Sequence, residues 1–230
     1  MTLNKKLLSN IIEWDVNNWS KCLSFWPKNS SLPLDDSHVL ELGSRHGGLS
    51  LWAALNGAKV ICSDLSGPTQ AAIKKHSSYN VSNVIEYESI DALTIPYKNK
   101  FDIVISKSVI GGIGRNNNIK NQRLMIEEVF NSLKDGGEYW FIENLIASPI
   151  HRMTRNTLTG WGNTWRYISI DESKDFFRDF SSFNYKTFGF LSCFGPNELS
   201  RKIFSYFDEY LFNHITPNHW HYIIVGVAKK

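Results

Sequence analysis

HVLELGSRHGGLSLWAALNGAKVICSD, residues 38–64, is the stretch whose reading decides the fold. Val39–Leu42 is a short apolar run with the pattern of a buried strand. Gly43, Gly47 and Gly48 mark a turn, an apolar helix follows and closes at Gly57, and Lys59–Ser63 is a second strand ending on Asp64. Together they make one βαβ unit, with a nucleotide-type crevice at its strand ends. Glycine suits such a turn because it lets backbone approach a ligand closely and takes positive φ without a Cβ clash. An acid ending the second strand can accept hydrogen bonds from ribose hydroxyls, so Asp64 points to an adenosine-bearing ligand.

Working outward, strands and helices alternate after residue 38, the signature of a mostly parallel sheet with helices on both faces. Gly67-Pro68 opens a helix running to about Tyr79, and Val84–Ser89 alternates as a third strand with Asp91 and Ala92 at its end. Phe101–Ser106 is a fourth strand. A helix from about Asn121 to Leu133 is turned by Asp135-Gly136-Gly137 into a fifth, Glu138–Glu143. Ser169-Ile170-Asp171-Glu172 is a capping box opening a helix through about Phe180. A strand near Phe183–Gly189, a helix from about Asn197 and a last apolar strand, Tyr222–Ala228, complete the chain.

The glycine spacing separates two cofactor classes. The GxGxxG fingerprint, which lays a pyrophosphate on a helix N-terminus, is not met, because its middle position falls on Arg45. Nor is there a TyrxxxLys pair, so a nicotinamide oxidoreductase is disfavoured. Glu41, Gly43 and Gly47 instead match a (D/E)xGxGxG pattern, and the stretch resembles motif I of the class I S-adenosylmethionine (SAM) dependent methyltransferases. The resemblance covers residues 38–145 by motif and 170–230 by element order. It implies a doubly wound, mostly parallel seven-stranded α/β sheet with an antiparallel last strand, SAM as cofactor and S-adenosylhomocysteine (SAH) as product. The chain departs from the family at Arg45 and His46, where a glycine and a small residue are more usual.

Site residues carry over by position in each motif. Glu41 would organise the turn or a water near the methionyl amine, and Gly43, Ser44 and Gly47 would border the methionine part. Asp64 would take the ribose hydroxyls, with Leu65 against adenine. Asp91 would accept from the adenine amine between Ile90 and Ala92, and Ser106 and Lys107 would floor the site below the sulfonium. Arg45 is expected either to pair with the methionyl carboxylate, which its guanidinium fork matches, or to point into solvent. Lys107, a cation near a sulfonium, is expected to turn outward or pair with an acid. Strand-end acids also cap helices, but suitable features at four successive strand ends, in order, favour a ligand site.

Methyl transfer from a sulfonium depends on in-line positioning and needs a base only where the acceptor must lose a proton. Glu143 and His151 are the candidate catalytic bases, with His46 a third. The excursion 144–168 is expected to form the acceptor pocket, through His151, Arg152, Arg155, Trp161, Trp165, Arg166 and Tyr167. Arginines suit a carboxylate or phosphate and flat aromatics a sugar or ring; the bland counterpart is an aromatic mini-core with solvated arginines. A small polar or anionic acceptor, such as a saccharide or glycan intermediate methylated on oxygen, is expected. Residues 1–37, with Trp14, Trp19 and Trp26 among Leu7, Leu8, Ile11 and Ile12, read as an amphipathic helical lid, or as aromatics packed on the sheet. Trp19 is the candidate lid residue contacting substrate, and residues 38–230 form the methyltransferase domain.

Composition narrows the remaining classes. At 230 residues with 42% hydrophobic content, the chain builds one full core and one domain. Its formal charge of +3 arises without a long basic run, which argues against a nucleic-acid surface. Ser106-Lys107-Ser108-Val109 also replaces the NPPY-like tetrapeptide of base-modifying methyltransferases. Cys22, Cys62 and Cys193 form no CxxC pair, so neither a disulfide framework nor a zinc site is expected. His214, His219 and His221 lack a matching acid pattern, and no metal is expected. No apolar run reaches the ~18 residues of a membrane span and no signal core is present, so a cytoplasmic location is expected. The alternative to an enzyme is a methyltransferase fold that has lost catalysis and serves in binding.

Overall fold

The computed structural model describes residues 4–158 and 164–230. Three short helices come first: α1 (Lys5–Ile12), α2 (Val16–Trp19) and α3 (Cys22–Asn29). Asn4 caps α1 by accepting from the Leu7 N–H at 2.9 Å, and the helix buries Leu7, Ile11 and Ile12. Then follow β1 (His38–Leu42), α4 (Gly48–Leu55), β2 (Lys59–Asp64), α5 (Gln70–Ser78), β3 (Ile85–Ser89), β4 (Phe101–Lys107), α6 (Ile110–Ile113), α7 (Ile119–Ser132) and β5 (Leu133–Asn144). The last third holds α8 (Pro149–Leu158), α9 (Ile170–Phe176), β6 (Ser182–Phe188), α10 (Glu198–Phe207), α11 (Asn213–Ile215) and β7 (Ile223–Lys229).

The seven strands form one sheet in the order β3-β2-β1-β4-β5-β7-β6. β1 to β5 run parallel, and β7 is antiparallel to both β5 and β6. The strand order reverses between β1 and β4, so a crevice opens where their carboxyl ends diverge. Both faces are covered, which explains why the central strands are nearly all apolar. On one face Trp26 from α3, Trp52 from α4 and Trp140 from β5 meet with ring centroids 5.7 to 6.2 Å apart. On the other, Tyr139, Phe141, Phe177 and Phe183 pack ring on ring. The N-terminal helices thus supply part of the core, and Trp26 is fully buried in it.

Three boundaries differ from the sequence expectation. Gly67-Pro68 precedes α5 instead of starting it: the Thr69 hydroxyl accepts from the Ala72 N–H at 3.2 Å, and a hydroxyl cap satisfies a first-turn donor as proline cannot. Asp135-Gly136-Gly137 does not separate helix from strand. Phe101 pairs with Leu133 and Ile103 with Glu138, so these residues bulge inside β5. The capping box at Ser169 is present in both directions, at 3.1 and 2.8 Å, but α9 stops at Phe176, where Phe177 and Phe180 turn into the core. Among the described residues no helix is long and apolar enough to cross a membrane.

Candidate functional site

The turn after β1 is built by left-handed backbone. Gly43, Arg45 and Gly47 take φ of +63°, +49° and +66°, and a Cβ on Gly47 would stand 2.5 Å from the His76 ring. Arg45 adopts without glycine the conformation for which glycine is suited. The turn is locked from within: Ser44 N–H donates to the Ser63 carbonyl at 2.8 Å and Gly47 N–H to that of Ser44 at 2.7 Å. Asp64 at the end of β2 accepts from the Arg45 N–H through Oδ2 at 2.8 Å. Its Oδ1 has no protein partner among the described residues.

Above the turn lies a cavity of about 640 Å³, whose wall includes Glu41, Gly43, Ser44, Arg45, Gly48, Asp64, Lys107, Ser108, Arg115 and Trp165. Glu41 is buried at the end of β1 and accepts from both the N–H (2.8 Å) and the hydroxyl of Ser50. Burial raises its carboxyl to about 7, against those bonds. A second cavity of about 610 Å³ is lined by Glu13, Trp14, Trp19, Arg45, His46, Lys107, Ser108 and Asn144. The two share Glu13, Arg45, Lys107 and Ser108, so they meet at the end of β4. The Arg45 guanidinium borders both and has no hydrogen bond or ion pair among the described residues.

Two residues expected on the floor divide. Lys107 lines both cavities, but its head neither turns outward nor pairs with an acid; Nζ donates to the Ile12 carbonyl at 2.9 Å. That carbonyl lies at the negative end of α1, and burial lowers the pKa of the ammonium. Ser106 is directed elsewhere because strand side chains alternate: its hydroxyl pairs with the buried Tyr139 hydroxyl at 2.6 Å, and Ser108 takes its place at the floor. At the neighbouring strand ends Leu65 is exposed, Ile90 and Ala92 are buried, and Asp91 accepts from the Leu93 N–H at 2.9 Å. These four do not line either cavity, yet Ile90 N–H donates to the Asp64 carbonyl at 3.1 Å, so they adjoin Asp64.

Both expected bases are placed away from the cavities. Glu143 is buried, accepting from the Asn144 N–H at 2.8 Å and the Gly111 N–H at 3.3 Å, and so caps the first turn of α6. Its carboxyl is raised to about 7 by burial. His151 bonds to the Phe190 carbonyl through Nε2 at 2.8 Å and to the Ser148 hydroxyl through Nδ1 at 2.6 Å, with the rings of Phe190, Phe194 and Tyr222 around it. Burial lowers it to about 4, which keeps the ring neutral. It is a core histidine.

The excursion also contributes less than its composition suggests. Arg166 donates to Asn117 Oδ1 at 3.1 Å, to Gln122 Oε1 at 2.6 Å and to Glu172, so its fork holds α7 to α9. Arg155 donates to the Ile146 carbonyl at 2.8 Å and lies 3.7 Å from the centre of the Tyr167 ring. Arg152 is exposed on α8. Trp165 alone among the described residues of the excursion reaches the first cavity, seated where a Cβ on Gly111 would come within 1.9 Å of its Nε1; Trp161 lies outside the described residues. Arg155, Arg166 and Tyr167 are engaged within the chain, as in the mini-core alternative, but the two arginines are bonded and half-buried instead of solvated. Trp19 lines the second cavity, edge-on to Trp14 at 6.1 Å. Glu13, Ser108 and Arg115 were not legible as cavity residues, and Trp14 and Asn144 only through the segments that hold them. Glu13 and Ser108 sit at left-handed backbone, φ +70° and +57°, which non-glycine residues do not advertise.

The strand order, the antiparallel β7 and the turn closed by the acid of β2 define the class: this is the fold of the class I SAM-dependent methyltransferases. Residues 40–141 match the family model described as a methyltransferase domain. Among solved structures, a Haemonchus contortus phosphoethanolamine N-methyltransferase 2, complexed with phosphomonomethylethanolamine and SAH, superposes with a TM-score of 0.65 at 15% identity, over 92% of this chain and 52% of that one. The chain therefore spans about half the length of that enzyme. A SAM-dependent methyltransferase of Mesorhizobium loti gives 0.60 at 15% identity, over 93% and 97%. The [4+2]-cyclase SpnF gives 0.59 at 14%, over 94% and 80%. At such identities the likeness is one of fold. No curated protein matches the chain.

Proposed function

We propose that the chain is a methyltransferase that binds SAM in the first cavity and methylates a small polar or anionic acceptor in the second. The observation that carries this reading is the meeting of the two cavities at Arg45, Lys107 and Ser108, directly over the carboxyl ends of β1 and β4. The residues fit the cofactor: the free Oδ1 of Asp64 suits a ribose hydroxyl, the uncommitted Arg45 fork a methionyl carboxylate, and Glu41 the ammonium. Leu65, with Ile90, Asp91 and Ala92 beyond it, would flank adenine.

When bound, SAM would supply an electrophilic methyl to the acceptor's lone pair, with the C–S bonding pair staying on sulfur in the product SAH. The chain's own contribution is alignment across the shared wall. A hydroxyl acceptor must also lose a proton, and His46 and Glu13 stand at the second cavity where Glu143 and His151 do not. Trp14 and Trp19 offer flat apolar walls suited to a sugar-like body, while Lys107 and His46, at the same cavity, suit an anionic group. Oxygen methylation of a saccharide-like acceptor is the finer reading this favours. In it α1 and α2 act as the lid of the site.

Calorimetry against SAM, SAH and NAD tests the cofactor. Both adenosyl compounds should bind and NAD should not, and Arg45→Ala should weaken SAH by roughly ten- to hundredfold, the range of a charge-assisted pair. Absence of SAH binding to the wild type sinks the reading; binding without turnover on any hydroxylated or anionic acceptor favours the non-catalytic alternative.

A further inference from the structure

Helix α10 is inside out. Its one buried side chain is polar: Ser205 accepts from Asn17 Nδ2 at 3.0 Å. Beyond it, in a π-turn spanning Asp208–Phe212, Asp208 accepts from Asn18 Nδ2 at 3.0 Å, Leu191 N–H at 2.7 Å and Ser192 N–H at 3.0 Å. Its apolar residues face solvent. Leu199, Ile203, Tyr206, Phe207, Tyr210 and Leu211 are between 45% and 78% exposed, and Ile215 in α11 continues the row at 65%. A surface helix ordinarily turns such a stripe to the core, and an exposed apolar patch this long, roughly 25 Å at ~1.5 Å per residue, marks a contact surface.

We propose that this stripe is the face through which two copies of the chain pair. Residues 199, 203, 206 and 210 advance in steps of four, three and four, the spacing of a helix-pair seam. An isologous two-fold contact supplies each copy with the same seam. The area is sufficient: with aromatic side chains of about 150–250 Å² each, the exposed fractions come to on the order of 700 Å² per copy, near the ~800 Å² per partner of a standard interface. The charges favour protein over lipid. Glu198 is paired with Arg201 at 2.7 Å and Glu209 with Lys21, so among the described residues Lys202 is the one cation of α10 outside an ion pair. An anionic bilayer would call for a basic rim.

Sedimentation equilibrium of the full chain over a micromolar to high-micromolar series tests the proposal. The wild type should show a monomer–dimer equilibrium, and Leu199→Glu combined with Tyr210→Glu should weaken association by at least about tenfold while leaving SAH binding unchanged, since neither residue lines the cavities. A wild type that stays monomeric throughout, or a dimer that the double variant does not loosen, overturns it. Should the double variant fail to fold, Tyr206→Cys near the two-fold should cross-link to itself on mild oxidation; no cross-link beyond that of the parent chain overturns the proposal. Flotation with phosphatidylserine vesicles by a chain that is monomeric in solution overturns it in favour of a lipid surface.

Discussion

Glu41 is pulled in opposite directions by burial and by the ligand charge proposed for it. Burial holds its carboxyl at about 7, whereas an ammonium beside it would favour the ionised form. Binding then selects carboxylate, so protons leave as ligand enters below that pKa. SAH affinity should be level above about pH 7 and fall as pH drops, approaching tenfold per unit once the free protein is protonated. Glu41→Gln should bind weakly with no such slope. Calorimetry across about pH 5.5 to 8.5 checks this, and a wild-type profile as flat as the variant's removes Glu41 from the ammonium. At this scale the sequence was informative about placement where a motif fixes both residue and backbone: Glu41, Gly43 and Asp64 all line the first cavity. It misled at Glu143, His151 and Arg166, because a buried base and a solvated one are written with the same letter. Only tertiary hydrogen bonds, to Gly111, Phe190 and Gln122, distinguish them.

α1 and α4 touch at a place where no side chain fits. A Cβ on Gly48, the first residue of α4, would stand 2.0 Å from the Ile11 carbonyl, and the next carbonyl along, that of Ile12, holds Lys107. Gly48→Ala sets two effects against each other: alanine favours a helix by about 1 kcal/mol over glycine, while forcing backbone apart in a packed interior costs typically 1–3 kcal/mol. The contact is with main chain, which has no rotamer to yield, so packing wins. The variant should lose up to about 2 kcal/mol in urea denaturation and bind SAH more weakly as α1 lifts from the cavity wall. A variant more stable than the wild type with unaltered binding would show that this contact is not what seats α1. Elements were legible where local patterns suffice: the β1–α4–β2 unit lies where its periodicity places it and the capping box at Ser169 where its residues do, whereas the antiparallel ending came from the family resemblance. The bulge at residues 135–137 was not, since three residues with turn chemistry read alike between elements and within a strand. Nor was the place of Glu13 at the cavities, which depends on how α1 seats over a strand 95 residues away in sequence for the Ile12–Lys107 bond.

Across the whole molecule, the N-terminal segment and the C-terminal tail are joined by a buried polar knot. Asp15, fully buried, accepts from the hydroxyls of Ser192 and Tyr222; Asn18 donates to Asp208 and to Tyr222, each at 3.0 Å; and Glu198 accepts from the N–H of Asp15 at 2.9 Å. Burial, aided by the charges of Glu198 and Asp208, raises the Asp15 carboxyl to about 7 from its ordinary 3.8. Between those values the native chain keeps a proton that the unfolded chain gives up. The contribution of this group to stability is therefore complete below about pH 4 and lost as pH rises through about 7, falling by about 1.4 kcal/mol for every pH unit in between. Asp15→Asn cannot ionise and escapes that loss. It should be no more stable than the wild type near about pH 4 and progressively more stable relative to it up to about pH 8, read as the difference between two urea-denaturation series. Because α2 carries Trp19 between this knot and the second cavity, the same pH rise should speed amide hydrogen exchange in residues 16–19 of the wild type beyond its ordinary base-catalysed increase, and the variant should lack the excess. Stability differences that stay constant with pH would mean that Asp15 is ionised in the native protein and that the knot is held together by charge instead of a retained proton.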